Sequence, residues 1–122
     1  MRLDVFRKLV REALDSIPAA FRKKMGNIAV VVEDWPSEEV LEDFGIDDPT
    51  ELLGLYQGVP LDQREATFAN VLPDHIVIYR RPIEAHSQDP VEVRAVVRET
   101  VIHEVGHFFG LSDDEIEEII SS

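Results

Sequence analysis

Phe6, Leu9, Val10, Ala13, Leu14 and Ile17 recur three and four residues apart, with Arg and Asp between them. That spacing predicts an amphipathic helix over residues 3–16, followed by a short helical turn after Pro18. Gly26–Asn27 ends the segment, and Ile28 to Val32 is a β-branched run that predicts a buried strand. Ser37 is placed to cap a short acidic helix through Phe44, with Gly45 as its stop. Leu52–Gln57 predicts a second strand, in which Gly54 marks a bulge or an edge. Gly58 to Pro73 is a polar connection. His75–Tyr79 then alternates apolar and polar positions as a third strand, closed by Pro82.

The last third is the most explicitly punctuated. Asp89, Pro90 and Glu92 form a helix start: a capping acid, proline at the first helical position and a reciprocal acid three residues after the cap. The helix runs to Phe109, where Gly110 supplies the left-handed residue that closes many helices. Ser112 and Glu115 repeat the capping pattern and open a terminal helix to Ile120. The order of elements predicts one α+β domain over residues 1–122, with a small sheet packed on helices.

Composition narrows the chemistry. The 122 residues are 44% hydrophobic and 30% charged, the balance of a globular chain. No cysteine is present, which excludes disulfides, thiolate metal ligands and thiol catalysis. Net charge is −13, from 25 acidic and 12 basic residues. A field of that sign disfavours nucleic acid and anionic membranes as partners, since both need dense Lys and Arg. Asp4, Arg7 and Lys8 interrupt the first ten residues, so a signal peptide is not expected there, and the cytoplasm is the default location.

One helical segment carries chemistry. His103 and His107 stand four apart, on one face a turn from each other, close enough for both imidazoles to hold one ion. Glu104 points about 60° from His107 and about 100° from His103, so it flanks the ion, where a general base must stand to take a proton from bound water. After Gly110 the chain can reverse and bring Asp113 in as the third ligand, leaving one position open. Asp114 or a more distant acid is the alternative third ligand, because an acid at Asp113 also suits a helix start. Val101, Ile102, Val105, Gly106, Phe108 and Phe109 fill the rest of the segment, predicting a buried central helix. A hydrogen-bonded core pair of histidines is the structural alternative to a metal site.

Residues 103–113, HEVGHFFGLSD, match the pattern H-E-x-x-H-x-x-G-x-x-D at every required position. With the segments LLGLYQGVP and LPDHIVIYRRP, the chain resembles a bacterial family of minimal zincin-like metallopeptidases. The resemblance covers most of the chain from about Leu52 and the first 50 residues more loosely. It implies a zincin-like α+β fold with the metal motif on a long helix in the C-terminal region. It also implies one Zn2+ on His103, His107 and Asp113, Glu104 as acid/base, and a peptide or protein substrate. Larger relatives carry a methionine-containing turn after the third ligand and a lower subdomain beyond it. Nine residues follow Asp113 and none is methionine, so a reduced cleft, or one completed by a partner, is expected. In such folds an edge strand holds the substrate backbone, and Leu52–Gln57 and His75–Tyr79 both qualify. Tyr56 and Tyr79 are candidate oxyanion donors, though either also serves as an ordinary strand aromatic. His75 and His86 have no ligand spacing, and Arg80–Arg81 is expected to pair with nearby acids.

Two other functions remain open. A non-catalytic zincin-like metal-binding module fits the reduced cleft, although structural zinc normally has four protein ligands. A metal-dependent endoribonuclease is disfavoured by Glu104, by Asp113 where that family has histidine, and by the negative charge.

Overall fold

The computed structural model describes residues 1–26, 28–58 and 74–121, with only the helical backbone for 119–121. Asn27 and the connection predicted over Gly58–Pro73, apart from Gly58 itself, lie outside them. The chain order is helix α1 (Leu3–Asp15), helix α2 (Ala19–Met25), strand β1 (Ala29–Glu33), helix α3 (Glu38–Asp43) and a 3-10 turn over Pro49–Glu51. Strands β2 (Gly54–Gln57) and β3 (His75–Tyr79) follow, then helices α4 (Arg80–Ala85), α5 (Pro90–Phe108) and α6 (Asp113–Ser121). The α+β class and the small mixed sheet are as the sequence predicts.

The sheet order is β1-β3-β2, with β1 parallel and β2 antiparallel to β3. β3 is therefore central. Its side chains are buried on both faces: Ile76 and Ile78 against the helices, Val77 and Tyr79 against Leu55, Leu52 and Val40. The predicted apolar–polar alternation does not hold, because each face of this strand has its own apolar partners. β1 departs the other way. Its β-branched run predicts burial, but it is an edge with Val30 and Val32 half-buried and Val31 exposed.

Pro82 does not end β3; the chain turns straight into α4. A helix tolerates proline in its first turn, where its missing N–H has no intrahelical partner. Arg80 opens that helix, and its buried guanidinium donates to Asp34 at 2.8 Å, tying α4 to the end of β1. Arg81 reaches Glu84, so the expected pairing of both arginines holds.

α5 organises the molecule through three side-chain rows, each of period four. Val93, Val97, Val101 and Val105 form the first row and enter the core with Phe6, Leu9, Val10 and Ala13 of α1. Thr100, Glu104 and Phe108 form the second and face β2. Glu99, His103 and His107 form the third. Burying the four valines, at about 1.5–3 kcal/mol each, fixes the rotation of α5 and so the direction of the histidine row. The ends of α5 are defined as predicted. Asp89 accepts from the Glu92 N–H at 2.8 Å. Beyond Phe109, Leu111 and Gly110 donate to Gly106 and His107, with Gly110 at φ +76°, a Schellman closure. No helix among the described residues is long and apolar enough to cross a membrane.

Candidate metal centre

The Schellman turn reverses the chain, and a reciprocal cap starts α6. Glu115 N–H donates to Ser112 Oγ at 3.2 Å, and Ser112 N–H donates to Glu115 Oε1 at 3.1 Å. α6 then lies back along α5, with Ile116 fully buried against Gly106. A Cβ on Gly106 would fall 2.6 Å from Ile116 Cδ1, so glycine is what lets the two helices approach this closely.

That approach brings three predicted residues together. One donor atom each of His103, His107 and Asp113 lies within 4.8 Å of the others. His107 Nε2 is 3.5 Å from Asp113 Oδ1. Asp114 is not part of this group. Donor atoms around a tetrahedral zinc, with bonds of about 2.0–2.2 Å, stand roughly 3.3–3.6 Å apart; the His107–Asp113 pair has that spacing, and the group has the donor chemistry for one small divalent ion. The imidazoles are more open than their apolar helix predicts, with side-chain exposures of 29% for His103 and 41% for His107. The histidine row looks out toward α6 and solvent, while the valine row faces the core.

Glu104 differs from them, at only 8% exposure. Its Oε1 lies 3.3 Å from His107 Nδ1, and its carboxylate accepts the backbone N–H of Tyr56 on β2. Burial raises its pKa above the ordinary glutamate value, opposed by His107, His103 and the Tyr56 N–H. An Nδ1–H donated to Glu104 leaves the His107 Nε2 lone pair facing Asp113, which is the tautomer a metal ligand requires. Glu104 thus flanks the donor group and orients one member of it.

β2 meets this carboxylate along its outer edge. Tyr79 N–H donates to Leu53 O, so alternate residues turn their backbone groups toward β3, while Gly54 and Tyr56 turn theirs away from it. Gly54 sits against α5: a Cβ there would fall 2.8 Å from Thr100 Cγ2 and 3.1 Å from Glu104 Cγ. Of the two predicted substrate strands, β2 is the edge beside Glu104 among the described residues and β3 is interior.

None of the remaining predicted residues joins the donor group. Tyr79, 1% exposed, is buried on the sheet face away from α5. The Tyr56 hydroxyl donates to Asp74 at 2.8 Å, and its ring meets Phe108 edge-on. His86 contacts Thr50 O, and neither it nor His75 belongs to the donor group.

Sequence reasoning missed Glu117. Its Oε1 lies 3.3 Å from His103 Nε2. The signal was present, since Glu117 follows Asp113 by one helical turn as His107 follows His103.

Comparison with curated proteins finds no match. The family model described as "Zincin-like metallopeptidase" matches residues 25–121. That family implies a divalent metal, typically zinc. The match takes in all three strands and both helices that bear His103, His107 and Asp113, and on that span the chain belongs to the zincin-like metallopeptidase family.

Proposed function

We propose that the protein is a zinc-dependent peptidase in which His103, His107 and Asp113 hold the ion and Glu104 is the general base. The observation that carries this reading is the buried Glu104 carboxylate, set beside three convergent donors and beneath the edge of β2. A zinc ion on those donors would make water a stronger acid and polarise a carbonyl. Glu104, with its pKa raised by burial, is suited to take a proton from water and return it to the leaving amine. The His107 Nδ1–H holds the carboxylate in place while its Nε2 faces the donor group. The outward C=O groups of Gly54 and Tyr56 and the Gly54 N–H offer an extended substrate a strand to pair with, the Tyr56 N–H being engaged by Glu104. The family match supports the peptidase class over the ribonuclease alternative.

The test is metal content together with digestion of a broad peptide library, using wild type and Glu104→Gln. About one equivalent of zinc in both proteins, with cleavage by wild type alone, is the expected result. Full cleavage by the variant would remove Glu104 as base. Metal uptake with no cleavage by either protein would favour a non-catalytic metal module.

A further inference from the structure

Two rungs join α5 to α6. His107 Nε2 faces Asp113 Oδ1 at 3.5 Å, and His103 Nε2 faces Glu117 Oε1 at 3.3 Å. The histidines are one turn apart on one helix and the acids one turn apart on the other, so the Gly106–Ile116 contact sets both rungs at once. Both distances match the spacing between neighbouring donors of a tetrahedral ion, about 3.3–3.6 Å. Three protein donors leave a fourth position unfilled. Glu104 flanks the group without being one of its mutually close donors, and is held by His107 Nδ1 and Tyr56 N–H. Glu117 lies outside the set of mutually close donors, but its side chain is 62% exposed and free of packing that would resist a change of rotamer.

We propose that Glu117 is a fourth, displaceable carboxylate of the metal centre, occupying the open position in the resting protein and leaving it when substrate enters. This rests on the metal reading given above and extends it to how the site is closed. A closed centre with an exposed, mobile fourth donor favours substrates able to compete with a carboxylate. An extended peptide anchored along β2 gains that advantage by being tethered.

The test uses the intact chain loaded with zinc or cobalt(II). Affinity is read by chelator competition, and coordination by the cobalt visible spectrum with and without added azide. Glu117→Gln is expected to lower zinc affinity about 10–100-fold, alter the cobalt spectrum and bind azide more tightly. Asp114→Asn removes an equal charge from the same helix, with no contact to either imidazole among the described residues. It should change affinity by no more than about twofold. Glu117→Asp, which keeps the charge on a shorter reach, should fall between. If Glu117→Gln matches wild type in affinity and spectrum, or Asp114→Asn weakens binding equally, the inference is overturned and the three-ligand site stands. If folded wild type takes up neither metal, the metal reading itself fails and this inference falls with it.

Discussion

Gly106 and Ile116 are in a contact that leaves no room for a single methyl group between them, and this contact seats α6 over the histidine row of α5. Gly106→Ala therefore brings two opposing effects. Alanine improves helix propensity by about 0.8–1 kcal/mol, while overpacking costs about 1–3 kcal/mol. Both colliding atoms belong to a fully buried isoleucine, so the overpacking term wins. The variant should unfold at lower denaturant and bind zinc more weakly, because α6 carries Asp113. An alanine variant that is more stable and binds zinc normally would show that α6 need not sit this close.

Gly54 makes the corresponding approach on the sheet side. Gly54→Ala should push β2 away from Thr100 and Glu104, at a cost of about 1–3 kcal/mol. The histidine row lies on a different face of α5, so zinc affinity should be unchanged while peptide cleavage falls. The double variant Gly54→Ala/Thr100→Ser removes the methyl met at 2.8 Å and should recover part of both losses. A double variant no better than the single would place the strain elsewhere.

The pH dependence of the metal-free protein follows from Glu104. Its pKa is raised in the folded state by burial, so the folded state holds that proton more tightly than the unfolded chain does. The associated stability is fully present below the unfolded value near 4.5 and is lost as pH rises through the higher folded value. Glu104→Gln has no proton to release. The melting temperature of the chelated variant minus that of chelated wild type should accordingly increase with pH above that lower limit. A difference independent of pH would mean that Glu104 titrates normally.

Helices α5 and α6 were legible in the sequence because their ends are written in local chemistry. Asp89–Pro90, Gly110 and the Ser112–Glu115 pair each fix a boundary through contacts within a few residues. His103, His107 and Glu104 were legible for the same reason, since helical geometry alone sets their mutual directions. What was not legible depends on contacts distant in sequence. The exposure of Val31 reflects the position of β1 at the edge of the sheet, and the burial of Tyr79 reflects that of β3 at its centre. α4 was hidden by Pro82, which is both a strand stop and an acceptable first-turn residue. The choice of Asp113 over Asp114, and the presence of Glu117, follow from how α6 docks. That docking turns on Gly106, whose role shows only when Ile116 lies against it.

Docking also sets what metal should do to stability. α6 brings Asp113, Asp114, Glu115, Glu117 and Glu118 close together with no lysine or arginine among them. An ion bound only by the folded protein at a free concentration about 100 times its dissociation constant adds about 2.7 kcal/mol of stability. For a chain of this size that corresponds to a rise of roughly 8–13 °C in melting temperature. His107→Ala, which removes a donor shared with Asp113 and frees Glu104, should abolish the rise. Salt should recover a small part of it in the chelated protein by screening repulsion among the acids. Glu99→Gln, on the same row of α5 but outside the donor group, should keep the full rise. Equal loss in both variants would trace the stabilisation to the general acidity of this face, with no role for the three donors.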